Sequence, residues 1–162
     1  MLDAAALLLA AFRAKRGRNM SVTRLAPQHL AGVAELEKVV FQHPWSEKSL
    51  ELLCGETAFG FAELNGDAVT AYGGMLTVLD EGQITNIATH PDHRRQGLAA
   101  KVLFALLEEA RARGIVSVTL EVRASNEPAI ALYQKFGFSV VGKRSRFYTH
   151  PTEDALVMQC IF

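Results

Sequence analysis

Two stretches of the chain pass from a strand-like run to an apolar period of about 3.6 residues, and each predicts a strand followed by a helix, with strict apolar–polar alternation in the second strand. In the first, Ile84 to Thr89 forms the strand, and a helix from about Gly97 to Arg113 buries Ala99, Leu103, Leu106, Leu107 and Ala110 before Gly114 stops it. In the second, Val116, Val118, Leu120 and Val122 line one strand face, with Ser117, Thr119, Glu121 and Arg123 on the other. Ser125 and Asn126 then cap a helix that accepts Pro128 in its first turn and ends at Gly137.

Upstream the pattern differs. Val22 to Leu25 is a brief strand, and Ala26-Pro27 opens a helix through about Phe41 with an imperfect stripe of Leu30, Val33, Ala34, Leu36, Glu37 and Val40. His43-Pro44-Trp45 ends that helix, and Ser46 is an ordinary N-cap for a short helix to Leu53. Thr57 to Leu64 and Ala68 to Leu79 form a hairpin about Asn65-Gly66-Asp67, with Gly73-Gly74 marking a bulge or a close backbone approach. Asp80-Glu81-Gly82 turns the chain into the first strand–helix unit. Phe138 to Tyr148 and Asp154 to Ile161 form a final antiparallel pair around His150-Pro151-Thr152. The expected class is α/β (α+β), a mixed sheet that opens antiparallel, unlike a doubly wound nucleotide fold.

At 162 residues one domain is expected. The chain is 49% hydrophobic with zero formal net charge, which argues against disorder and against attraction to bulk nucleic acid; no direct nucleic-acid contact is expected. Cys54 and Cys160 have neither metal-ligand spacing nor a disulfide pattern, so no metal is expected and a reducing cytoplasm is favoured. Residues 1–19 place an apolar run before a basic one, the reverse of a signal peptide, and the run is too short to span a bilayer. They can form a weak amphipathic helix or a disordered tail, or mark a start-site artefact before Met20. A flexible tail or artefact is the favoured expectation, with the domain at 20–162 and no membrane association.

The candidate chemistry lies in the two strand–helix units. Arg94-Arg95-Gln96-Gly97-Leu98-Ala99 sets two guanidinium groups, a glycine and unpaired amides at a helix start, a combination suited to phosphate, although a solvated basic turn is common. It has neither the Gly-Lys-Ser/Thr ending of a P-loop nor a dinucleotide glycine pattern. Glu121 projects from the polar face of a strand, where a carboxylate partly withdrawn from water suits proton acceptance; an ion pair with Arg123 or another basic group is the structural alternative. Tyr133 can donate a phenolic proton or simply pack, since Ile130, Leu132 and Phe136 surround it in sequence.

Arg94-x-x-Gly97-x-Ala99 after Ile84 to His93 resembles the acetyl-coenzyme A signature of the GNAT acyltransferase superfamily, and the resemblance runs in order from about Val22 to Cys160. It implies a three-layer fold with a mixed, centrally splayed and twisted sheet flanked by helices. It also implies acetyl-CoA as cofactor, its pyrophosphate held by Arg94, Arg95, Gln96, Gly97, Leu98 and Ala99. A bulge around Asn86, Ile87 and Ala88 would offer backbone N–H groups of Ile87 and Ala88 to the acetyl carbonyl. Leu120 to Asn126, Ala129 to Tyr133, Gly137-Phe138 and Pro44 to Lys48 are similar to the RimI branch, bacterial acetyltransferases of the N-terminal alanine of a small-subunit ribosomal protein.

By that resemblance Glu121 is the general base, Tyr133 the general acid and Asn126 a contact to the pantetheine arm. Trp45 and Ser46 would flank the peptide entrance, and Arg146 and Tyr148 would shape its groove. Lys143, Arg144 and Arg146 also fit a solvated edge strand that resists aggregation. The implied partners are a ribosomal-protein N-terminus as substrate and, as a further candidate, a tRNA-modification protein; a monomer is expected. The same signature also fits an acetyltransferase of a small-molecule amine or a non-catalytic acyl-CoA-binding module.

Overall fold

The computed structural model describes residues 4–16 and 21–162. Seven strands form one sheet: β1 (Val22–Arg24), β2 (Ala58–Asn65), β3 (Ala68–Val78), β4 (Glu81–Thr89), β5 (Ser117–Arg123), β6 (Ser139–Tyr148) and β7 (Glu153–Ile161). Their order is β1-β2-β3-β4-β5-β7-β6. The first four strands pair antiparallel, β4 and β5 pair parallel, and β7 inserts antiparallel between β5 and β6.

The parallel pair in the middle is short. Only Glu81↔Ser117, Gly82↔Val118 and Gln83↔Thr119 are in register, after which β4 continues to Thr89 and β5 to Arg123 along diverging paths. The sheet is therefore splayed at its centre. Strand β4 begins at Glu81, before the expected Ile84, because Leu79 adopts a positive φ of 55° and the turn closes with Val78 opposite Glu81. A bulge falls at Thr85, which has no partner in β3: Met75 pairs with Ile84 and Gly74 with Asn86. The extra residue lies just upstream of the Asn86 to Ala88 stretch in which a bulge was expected.

Helices cover both faces. On one face α2 (Leu30–Val40) and α3 (Glu47–Leu50) bury Leu30, Val33, Leu36, Leu50 and Leu53 with Tyr72 and Ala88. On the other, α4 (Leu98–Ala112) and α5 (Glu127–Lys135) pack Val102, Leu103, Leu106, Leu107, Tyr133 and Phe136 on Met75, Val118, Leu120 and Met158. Gly97 is the N-cap of α4 rather than its first residue. Gly73 and Gly74 face opposite layers. A Cβ on Gly73 would lie 2.8 Å from Val102 Cγ1, and one on Gly74 would lie 2.6 Å from Leu53 Cδ1 and 2.7 Å from Thr85 Oγ1. The pair thus marks both a close approach and the strand opposite a bulge.

Of the options for the first nineteen residues, an amphipathic helix is observed: α1 spans Ala4–Arg16. Leu9 is buried against the α4–α5 layer, and the Phe12 ring lies 5.0 Å from Phe104 and 5.2 Å from Phe136. Residues 17–19 and Met20, where the domain boundary was expected, lie outside the described residues. No described helix is long and apolar enough to cross a membrane.

Replacing Gly73 by Ala would drive a methyl group into Val102 and push α4 off the sheet. The expected cost is about 1–3 kcal/mol. Equilibrium denaturation of Gly73→Ala checks this; a wild-type midpoint would mean that the interlayer contact is slack.

Candidate active site

Where β4 leaves β5, the alternation of its ladder decides which backbone groups face the gap. The His90 N–H donates to the Thr70 carbonyl at 2.8 Å, so His90 points its backbone groups at β3. In an antiparallel ladder the direction reverses at every residue, which turns Ala88 toward Tyr72 of β3 and Ile87 away from β3 toward the gap. Of the two amides expected at a carbonyl oxygen, the alternation makes Ile87 available and commits Ala88 to the sheet.

A single 3-10 turn, Pro91–His93, joins β4 to the basic turn. Arg95 and Gly97 have positive φ values of 63° and 74°, and Gly97 initiates α4 with no side chain bonded to the cap. No acidic residue stands in the first turn of α4. Its first N–H groups therefore keep their positive end without an internal anion, and Arg94 and Arg95 are exposed beside it. Gln96 is exposed, Leu98 is buried as an anchor, and Ala99 leaves the first turn without bulk. Unpaired amides and two exposed guanidinium groups can accept a compact anion such as a diphosphate.

On the other side of the gap, Glu121 of β5 keeps only 15% of its side-chain surface exposed. Its Oε1 lies 3.4 Å from a guanidinium nitrogen of Arg144, and its Oε2 accepts from Gln83 Nε2 at 3.4 Å. The alternative partner Arg123 is engaged elsewhere. It reaches Glu153 at 3.3 Å, donates to the Thr149 and Pro151 carbonyls and lies over the Tyr148 ring at 4.4 Å. Glu121 is thus held by two contacts at the edge of hydrogen-bonding range, a loose arrangement that leaves both oxygens reachable.

Tyr133 is the buried residue of α5, 5.8 Å from the Phe138 ring. Burial, with the nearby Tyr148, pushes its phenol up to about 12. Tyr148 is raised first by its own burial and then by Glu121, with Arg123 opposing and Glu153 adding. Tyr148 is therefore close enough to sense Glu121 and to be sensed by Tyr133, which places a second phenol between the two expected proton-handling residues. Asn126 is the N-cap of α5, its Oδ1 accepting from Ala129 N–H at 3.3 Å.

The expected peptide-side residues divide. Trp45 is half-buried against α2, its N–H donating to Glu37 Oε2 at 3.0 Å. The Oγ of Ser46 caps α3 by accepting from Ser49 N–H at 3.1 Å, so helix initiation accounts for that oxygen. Gln42 Nε2 donates to the His150 carbonyl at 2.7 Å, joining the loop before Trp45 to the β6–β7 turn after Tyr148. Arg146 sits in a bulge of β6 with φ 55° and is exposed, its N–H donating to Asp154 Oδ1 at 2.8 Å. No ion pair joins Arg146 to Glu121 among the described residues; Arg144, assigned only to a solvated edge, fills that position.

Sequence reasoning missed a second cluster on the opposite face of β4. Glu37 is fully buried and accepts from Tyr72 Oη and from Asn86 Nδ2, the latter at 2.6 Å, in addition to the Trp45 N–H. Its signal was a carboxylate in the apolar stripe of α2. Tyr72, next to Gly73, and Asn86, next to the bulge, had no local signal.

A model of the acetyltransferase (GNAT) family matches residues 30–138. The chain is 36% identical over 140 residues to the [ribosomal protein bS18]-alanine N-acetyltransferase of Escherichia coli K12, covering 85% of this chain and 95% of that protein. It is 37% identical over 142 residues to the same enzyme of Salmonella typhimurium, with the same coverage. The crystal structure of the ribosomal-protein-S18-alanine N-acetyltransferase from Escherichia coli superposes with a TM-score of 0.79, spanning 86% of this chain and 92% of that one.

All three tyrosines, Tyr72, Tyr133 and Tyr148, are shifted above the ordinary phenol value of 10. A folded-state value above the unfolded one gives stability that is complete below pH 10 and is lost as pH rises through the folded values. Phenolate absorbance of the native protein should therefore rise at higher pH than that of the unfolded chain, while stability declines over the same range. A tyrosine titrating at 10 in the folded protein would contradict the burial described.

Proposed function

Since the chain belongs to the GNAT acetyltransferase family, we propose that it transfers acetyl from acetyl-CoA to the α-amine of the N-terminal alanine of ribosomal protein bS18. The observation that supports this reading is that the two strands parting beyond Gln83 and Thr119 carry Ile87 on one side and the Glu121 carboxylate on the other, and that the strand bearing Ile87 leads toward the uncapped start of α4. Acetyl-CoA supplies an activated acyl thioester. Every other requirement falls on the chain.

The first N–H groups of α4 bind the diphosphate, with Arg94 and Arg95 adding charge, so affinity is drawn from a part of the ligand remote from the reaction. Ile87 N–H donates to the acetyl oxygen as negative charge builds there; its direction is fixed by the ladder, so no reorganisation is required. Glu121 accepts the proton of the α-ammonium, directly or through a water. That step is needed because an α-amino group, with a pKa of about 8, is mostly protonated at neutral pH. Tyr133 gives its proton to the departing thiolate. A phenol held as high as about 12 stays protonated until the leaving group demands it.

The chain's own carboxylate and phenol divide the two proton transfers, so direct attack within one ternary complex suffices and no covalent enzyme intermediate is invoked. Trp45 and Tyr148 would flank the approach of the peptide, in neighbouring segments joined by the Gln42–His150 hydrogen bond. Both proton-handling groups belong to one chain, consistent with a working monomer. A ribosomal-protein substrate supports a cytoplasmic reaction.

Incubation with acetyl-CoA and a peptide bearing the bS18 N-terminus should yield one acetyl group by intact mass, and none on the same peptide with a blocked amine. Transfer to small amines with the peptide untouched would assign a metabolite acceptor instead. Glu121→Gln should lower kcat/KM by about 10²–10⁴-fold. The deficit should be largest below pH about 8, where free amine is scarce. A pH–rate profile of unchanged shape would remove Glu121 from the base role. Tyr133→Phe should slow transfer by about tenfold or more while acetyl-CoA binding stays near wild type; normal turnover would return Tyr133 to packing alone.

A further inference from the structure

The buried cluster around Glu37 joins elements that otherwise meet only through apolar packing. Glu37 comes from α2, Tyr72 from β3, Asn86 from β4 immediately after the Thr85 bulge, and the Trp45 N–H from the loop that leads into α3. No described cation lies against the carboxylate. Its charge is met by donors alone: Tyr72 Oη and Asn86 Nδ2 on Oε1, and the Trp45 N–H at 3.0 Å on Oε2. Asn86 Nδ2 also lies 3.0 Å from Tyr72 Oη, which closes the ring of contacts. Burial first, and then Glu37, push the Tyr72 phenol well above its ordinary range, so it remains a neutral donor.

A fully buried carboxylate costs several kcal/mol in lost hydration unless such donors replace it. An apolar residue in the α2 stripe would fill the same space with no such requirement. What the carboxylate adds is direction. Each donor must stand where an oxygen lone pair can take it, which fixes Asn86, and with it the phase of β4 at Ile87, relative to the amide that begins the Trp45–Ser46 segment.

We propose that Glu37 is a positioning residue that sets the peptide-side loop at Trp45 against the acyl-side strand at Asn86 and Ile87. It touches neither reactant and acts through the two backbone segments it holds. This inference rests on the reading of the site as a peptide acetyltransferase, but its structural half does not depend on which amine is the acceptor. Trp45 is the only tryptophan in the chain, so tryptophan fluorescence reports on one end of the network directly.

The test compares wild type, Glu37→Gln, Tyr72→Phe and the exchange Glu37→Gln/Asn86→Asp. In Glu37→Gln the new amide NH₂ must face either the Trp45 N–H or the Asn86 NH₂, so one donor loses its acceptor. Acrylamide quenching of Trp45 should rise, and the peptide KM should increase about tenfold or more. Acetyl-CoA affinity, set at the start of α4, should stay within about twofold.

In the exchange, the amide introduced on α2 can donate to the carboxylate introduced on β4 and accept from the Trp45 N–H, while Tyr72 donates to that carboxylate. Quenching and KM should therefore return toward wild type. Unchanged quenching and KM in Glu37→Gln would overturn the proposal, as would an exchange variant that regains thermal stability but neither of these readouts. If Glu37→Gln does not fold, Tyr72→Phe carries the same measurements, with a smaller shift in the same direction expected and no shift overturning it. A wild-type protein that acetylates no peptide sinks the functional reading, and the quenching comparison then decides the positioning role by itself.

Discussion

Two central strands of this sheet stay in register for three residue pairs and then part, and that separation is the constraint on which the rest depends. Backbone N–H and C=O groups in the middle of a sheet normally satisfy one another, and parting the strands withdraws that solution from everything beyond Gln83 and Thr119. The fold confines the resulting demand. On the β4 side the Thr85 bulge sets the phase of the ladder, so Ile87 rather than Ala88 turns toward the opening. On the β5 side Glu121 and Arg123 emerge on the polar face, and β7 covers the strand's far edge. A ligand that brings its own carbonyl and amide groups meets a surface already short of partners.

Much of this architecture was legible along the chain because it is local. Apolar spacing located α4, β5 and α5, the Asn-Gly turn located the β2–β3 hairpin, and Gly97 located the start of α4 within one residue. The turn's affinity for anions also follows from local chemistry, since a helix start without a cap or an acid is visible in sequence. The proton-handling roles of Glu121 and Tyr133 came from family resemblance, because a carboxylate beside Arg123 reads equally well as an ion pair.

What stayed hidden was set by long-range register. The bulge falls at Thr85 because a β3–β4 ladder anchored at Val78 and Glu81 loses step there, and no residue type in that stretch demands it. Arg144 meets Glu121 only because β7 carries β6 to that height, which residue counting within β6 could not reveal. The same holds for Glu37. Its place in an apolar stripe was visible, but its partners come from three other elements separated from it by 8, 35 and 49 positions. The arginines show how such placement divides labour: Arg123 secures the β6–β7 turn, and so Glu121 is left to a more distant and more exposed cation.

The Phe12 ring bears on both Phe104 of α4 and Phe136 just beyond α5. Those two helices hold opposite ends of the proposed chemistry, the diphosphate turn at the head of one and Tyr133 near the end of the other. A single aromatic ring set against both couples the packing of the two helices. The packing behind the proposed cofactor turn and the packing behind the proposed proton donor thus share one ring.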